Sequence, residues 1–170
     1  MSEPAPWLDK AEMRAWLALI GMVMSVPPAI DAQLKRDSGV NFFEYSILAQ
    51  LADAPDRALQ MSRLSTLSGG SLSRLSHAAS RLECAGLLRR RALVGEPRST
   101  ELVLTDRGLA ALEAAAPDHV REARRLVFDV LTREQVIQLH GIALALTRAA
   151  SPETAEAIAH LIAERHLSDD

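Results

Sequence analysis

Apolar positions follow helical and strand-like rhythms that alternate along the chain. Met13, Leu17, Ile20 and Met24 stand three or four residues apart, the spacing that places side chains on one face of a helix. Asp9 and Glu12 precede most of them as a capping-box pair, each side chain suited to accept from the other residue's backbone N–H. Ile30 and Leu34 carry the apolar face to about residue 36, where Ser38-Gly39 is a stop signal. Pro27 and Pro28 interrupt this run. A proline lacks a donor and clashes with the preceding turn, so a kink or split is expected there. Residues 1–8, with Pro4 and Pro6, read as a loose lead-in.

A second helix opens at Asn41, with Glu44 as its capping partner, and its pattern buries Phe43, Ile47, Leu48 and Leu51 before Pro55. Residues 54–59 form a turn with room for a very short strand. A short helix over residues 62–67 points Leu64 and Leu67 inward, and Gly69-Gly70 breaks it. Ser71 caps the next helix, whose Leu72, Leu75, Ala79 and Leu82 predict one buried stripe ending at Gly86. The period then changes. Residues 87–93 and 100–105 flank a Gly95/Pro97 turn and predict a hairpin. Thr105 caps a long helix through Leu109 and Leu112 to about Leu131, with a kink expected at Pro117. Thr132 with Gln135 opens a helix bearing Val136, Leu139, Ile142 and Leu146. Ser151-Pro152 begins a last one with Ile158, Leu161 and Ile162. No internal repeat or low-complexity tract occurs.

Composition sharpens this outline. At 170 residues the chain suits one compact domain with extensions. Apolar residues make up 48% but aromatics only 4%, so the core must be built from Leu, Ala and Val, which favours helices. The single cysteine, Cys84, rules out an internal disulfide framework. The run of residues 16–24 falls short of the roughly 18 apolar residues of a spanning helix, which places the protein off the membrane and in the cytoplasm.

A net charge of −3 argues against a nucleic-acid partner until its distribution is considered. Between Ser71 and Arg98 six arginines (Arg74, Arg81, Arg89, Arg90, Arg91, Arg98) face two glutamates, Glu83 and Glu96, which makes a basic stripe on an acidic chain. A short helix, a glycine turn and a longer helix with a polar outer face form the helix-turn-helix pattern, and the hairpin after it forms a wing. Opposite the leucines, residues 71–86 present Ser71, Ser73, Arg74, His77, Ser80 and Arg81, side chains that donate to phosphates or base edges. Arg98 at the hairpin tip suits a narrow minor groove. Arg89, Arg90 and Arg91 alternate faces along a strand, so one or two of them, Arg90 included, face a nucleic-acid backbone.

The ordered motifs resemble the MarR family of bacterial regulators. The resemblance runs through residues 43–48, Met61-Ser62-Arg63-Leu64, Leu72-Ser73-Arg74-Leu75 and residues 81–90, then Glu96-Pro97-Arg98-Ser99 and Leu104-Thr105-Asp106-Arg107-Gly108. It covers about residues 40–112, and the flanks match in helical layout only. The resemblance implies a mainly α fold with a small β-hairpin wing, a winged helix-turn-helix flanked by N- and C-terminal dimerisation helices. Residues 1–38 and 113–170 would form the pairing regions and 39–112 the DNA-reading domain. The implied protein is a homodimer binding double-stranded DNA at a pseudo-palindromic operator with half-sites about 10 bp apart, and acting as a repressor. A small lipophilic or phenolic effector, of unidentified structure and contacts, would relieve it. Two positions depart from the family pattern. Glu96 replaces the usual wing aspartate, and Pro27-Pro28 falls in a helix that is ordinarily unbroken.

Other features carry blander readings. Cys84 sits at a helix C-terminus, where the dipole disfavours a thiolate, and the chain has no resolving cysteine, so it reads as a small helix residue rather than a redox sensor. Glu156, His160 and Glu164, with His166 near, share a helix face, but such stripes are common and no metal or other cofactor is expected. Trp7, Trp16 and Phe42 read as core or interface anchors ahead of an effector cage. No phosphate loop, nucleophile elbow or paired-carboxylate motif occurs, so an enzyme is not expected. The alternative is a helical protein–protein adaptor that keeps the winged fold without specific DNA binding.

Overall fold

The computed structural model describes residues 6–93 and 96–167, with the side chains of residues 93–99 and 164–167 outside that description. Among the described residues, seven α-helices and three strands follow one another as α1 (Lys10–Ser38), α2 (Phe42–Asp53), β1 (Ala58–Gln60), α3 (Met61–Ser68), α4 (Leu72–Cys84), β2 (Leu88–Leu93), β3 (Glu96–Leu104), α5 (Asp106–Ala123), α6 (Arg133–Ala150) and α7 (Pro152–Leu167). The fold is a winged helix-turn-helix with long helices on either side. The wing is antiparallel, with Leu88 opposite Leu104 and Arg91 opposite Glu101. β1 adds a third strand on the other edge of β3, with Leu59 opposite Leu102.

Local chemistry fixes most helix ends. Capping boxes close at Asp9/Glu12, Asn41/Glu44 and Thr132/Gln135, while Ser71 and Thr105 cap α4 and α5 with their hydroxyls. Gly86 adopts φ +72°, and the N–H groups of Gly86 and Leu87 donate to the carbonyls of Glu83 and Leu82, which terminates α4 and aims the chain into the wing.

The main core joins α2, α3, α4 and the sheet through Ile47, Leu48, Leu51, Leu64, Leu75, Leu82, Leu88 and Leu102. A second cluster, Ile30, Leu34, Tyr45 and Ala115, fastens α1 and α5 to the back of α2. Asp31 reinforces that joint. Its carboxylate accepts from the Phe42 N–H at 2.9 Å and pairs with Lys35 at 2.7 Å, contacts that hold its pKa below the usual aspartate value. At the other end of the chain α7 packs on α3 and α6, and Thr154 Oγ1 donates to the Thr66 carbonyl.

Several expectations are corrected. Pro27 and Pro28 do not split α1, which runs unbroken to Ser38. The carbonyls they leave without donors belong to Val23 and Met24, both exposed on the single chain and so not shut into its core. Pro117 likewise lies within α5. The irregularity comes later, as a π-helical turn over Arg124–Phe128 in which Asp129 N–H donates to the Arg124 carbonyl, and the helix stops short of Leu131. Phe43 is half-buried rather than buried, and Trp7 and Trp16 are 91% and 50% exposed, so neither tryptophan anchors the core. Leu72, expected in the buried stripe, is 56% exposed, with Ala78 taking its place beside Leu75, Ala79 and Leu82. By length and apolar composition α1 also meets the simple requirement for crossing a membrane, contrary to the short-run expectation, although Ile30, Gln33 and Leu34 near its C-terminal end are committed to the core.

The root of the wing is closed by Thr105 and Gly108. Thr105 donates its N–H to the Leu87 carbonyl at 3.1 Å and its hydroxyl to the Gly86 carbonyl at 2.7 Å, drawing α5 against the end of α4. A Cβ at Gly108 would stand 1.9 Å from the Leu87 carbonyl oxygen and 2.7 Å from a Leu104 methyl. Neither the backbone nor the core can yield that much room. Gly108→Ala should therefore lower stability by about 2 kcal/mol or more in urea unfolding, whereas Gly141→Ala, at an open helical site, should not destabilise.

His119 of α5 lies against Tyr45 and Phe42 of α2, with ring centroids 4.4 and 6.1 Å away. Desolvation there lowers the His119 pKa below its ordinary value. The unfolded chain then binds more protons than the folded one just below the free-histidine pKa, so stability should fall as pH drops through about 6.5. Urea midpoints at about pH 7.5 and about pH 5.5 should differ in the wild type and differ less in His119→Phe.

Candidate nucleic-acid interface

The outer face of α4 follows from its amphipathic spacing. With Leu75, Ala78, Ala79 and Leu82 turned into the core, Ser73, His77, Ser80 and Cys84 come to solvent on the opposite side. Ser71 also lies at this surface, but its hydroxyl accepts from the Arg74 N–H at 3.2 Å as the helix cap. Ser71, Ser73 and His77 are thus brought together along one exposed ridge, as the sequence predicts.

The arginines fare differently. Arg81 donates from Nε to Glu44 Oε1 at 2.6 Å, and the Glu44 side chain is only 8% exposed. The other oxygen of that carboxylate accepts from the Asn41 N–H at 2.9 Å to complete the cap of α2. Arg90 is turned inward from the strand. It donates from Nη1 to Glu83 at 2.7 Å and from Nη2 to the Ser76 carbonyl and the Ser80 hydroxyl, so it straps the first wing strand to α4. Arg91 pairs with its cross-strand neighbour Glu101 at 2.6 Å. Arg74 is exposed, and its guanidinium lies 4.2 Å over the ring of Phe43. Arg98 and Glu96 of the wing, with Glu164 and His166 of the metal stripe, have side chains outside the described residues. Glu156, His160 and Cys84 are exposed on their helices.

Of the three wing-strand arginines, Arg89 is the exposed one that, among the described residues, joins no ion pair. Arg63 on α3, equally exposed and outside the ion pairs, has no contact role in the sequence reading. Between the N-termini of α3 and α4 and strand β3 lies an open cleft of about 460 Å³ lined by Gln60, Met61, Ser62, Leu72, Ser73, Ser76 and Thr100. Only the position of Arg63, in the opening turn of a short helix just before α4, signals its place in advance.

No protein-family model and no curated protein matches the chain. Solved structures do. Sco3205 of Streptomyces coelicolor, a MarR family transcriptional regulator solved in complex with DNA, is 35% identical, aligns over 89% of this chain and 94% of its own, and superposes with a TM-score of 0.85. AbsC, a MarR family regulator from the same organism, is 30% identical over 98% of this chain and all of its own, with a TM-score of 0.75. Sco5413, a third from that organism, shares the fold at 22% identity and a TM-score of 0.71.

The Arg81–Glu44 pair generates a test of roles. Removing Arg81 leaves a buried carboxylate with a single backbone donor, so Arg81→Ala should lower stability by about 1–3 kcal/mol. Arg89→Ala, at an exposed position, should stay within about 0.5 kcal/mol of wild type. Urea unfolding of the two variants side by side measures the difference.

Proposed function

The chain belongs to the MarR family of transcriptional regulators, a non-enzymatic family, and from that premise we propose that it is a cytoplasmic homodimer that binds double-stranded DNA and represses transcription until a small lipophilic or phenolic effector releases it. The observation that carries the DNA-binding reading is the polar ridge of α4. Ser71, Ser73, His77 and Ser80 stand clear of the core, with α3 on one flank and the wing on the other. Residues 39–112 then serve as the reading unit, and residues 1–38 and 113–170 serve for pairing.

Pairing is supported by apolar surface that the single chain leaves uncovered. Met13, Trp16, Leu17, Val23 and Met24 on α1 are exposed, as are Val120 on α5, Phe128 and Val130 after it, and Ile137, Ile142 and Leu146 on α6. A two-fold partner lying across these helices would remove them from water and set two reading helices about one DNA turn apart. The same surface explains why α1 is so apolar without requiring a bilayer.

An effector reading is supported by the joint between α2 and α5. Tyr45 and Phe42 face His119, whose Nδ1 is buried without a hydrogen-bond partner, and Gln33 Oε1 on α1 is in the same condition. A phenolic hydroxyl could supply the missing donor to such a nitrogen while its ring packs on the two aromatics. Binding there would bias the attachment of α5 to the reading unit.

Because Arg81 and Arg90 are held by carboxylates, the phosphate-binding charge falls to Arg63 and Arg89, joined by Arg74 and Arg98. A salt titration of binding to the intergenic DNA beside its own gene, with random duplex as competitor, tests the whole reading. Two chains per duplex and survival of competitor are expected. Arg63→Ala and Arg89→Ala should each lessen the salt slope by about one, and simple phenols should release the wild type but not His119→Phe. Binding no tighter than to random DNA would favour the adaptor reading, since three arginines of the basic stripe are already ion-paired within the chain.

A further inference from the structure

Among the described residues from 39 to 112, Leu72 is the single large apolar side chain left exposed; every other one lies on helices α1, α5 and α6, in the segment before α1, or in the turn after α5. An isobutyl group at 56% exposure forgoes the burial available to the same residue type at Leu75, three positions on. Leu72 is also the first residue of α4, directly after its Ser71 cap. It lines the open cleft shared with Met61, Ser62, Ser73, Ser76 and Thr100, at the exposed head of the helix rather than over the core.

Resting on the DNA-binding reading above, we infer that Leu72 is a specificity-determining residue that selects thymine at one position of each half-site by packing on its 5-methyl group. Residues at the N-terminus of a recognition helix approach base edges in the major groove. The thymine methyl is the apolar feature those edges present. Of the two arginines on this helix, Arg81 is held by Glu44, and Arg74, stacked on Phe43, is given to phosphate rather than to a base. Direct reading thus passes to short side chains, of which Ser73, Ser76 and His77 recognise hydrogen-bonding groups and Leu72 alone recognises carbon.

The test uses the duplex that the full-length protein selects from a random pool, with each thymine replaced singly by deoxyuridine, which pairs identically but lacks the methyl. Removing one buried methyl should weaken wild-type binding about fourfold at one thymine per half-site, and Leu72→Ala should bind the thymine and uracil duplexes alike at that position. Leu72→Ala should melt with the wild type, because the side chain carries no core packing. If no single replacement weakens the wild type, or if Leu72→Ala suffers the same loss, the Leu72 inference is overturned while DNA binding stands. If the protein selects no duplex at all, both readings fall together.

Discussion

Glu44 performs two tasks with one carboxylate. One oxygen closes the cap of α2, and the other receives the Arg81 guanidinium across 37 residues of sequence. A buried carboxylate is costly unless its lone pairs are met by good donors. Here the donors come from two different elements, so the charge is tolerated only when α2 and α4 hold their native relation. The orientation of α4 is therefore held by a pair on its flank, with the carboxylate buried and the guanidinium partly in solvent, rather than by its outer ridge. Arg90 repeats the device on the opposite flank, tying the wing to α4 through Glu83, Ser76 and Ser80. Between them the two arginines brace α4 from both sides.

This bracing changes what a basic stripe means. Six arginines close together in sequence suggest a surface rich in mobile positive charge, yet three of them are neutralised by Glu44, Glu83 and Glu101. The stripe is part scaffold and part contact surface. The outer ridge of α4 itself is left with serines, a histidine and one leucine, and the unpaired positive charge of the described residues near it lies on Arg63, Arg74 and Arg89.

Local chemistry was legible in the sequence, and long-range chemistry was not. All three capping boxes, the Ser71 and Thr105 caps and the Gly86 terminator lie within a few residues of their partners, so spacing alone reveals them. The winged fold and its order of elements follow from the same signals. Leu72 was misread because helical periodicity continues to the end of a helix while the core beneath it does not. The partners of Arg81 and Arg90 are set by tertiary packing, which no window of sequence contains, although Arg81 with a neighbouring carboxylate is a natural alternative for an arginine on that flank. The continuity of α1 through two prolines goes with freed carbonyls on residues that lie outside the chain's own core, a property of exposure rather than of sequence.

The contact at Gly108 has a mechanical consequence. With the helix backbone set hard against the Leu87 carbonyl and Thr105 bonded to both Gly86 and Leu87, there is no compliant layer between α5 and the end of α4. The two move as one stiff arm. The 18 residues of α5 span about 27 Å, so a tilt of about 10° at the distal end would carry the other end through roughly 5 Å. That exceeds the 3.4 Å rise between neighbouring base pairs along one strand. A modest tilt among the outer helices would thus reach the end of α4 almost undiminished, because the glycine between them leaves no slack to absorb it.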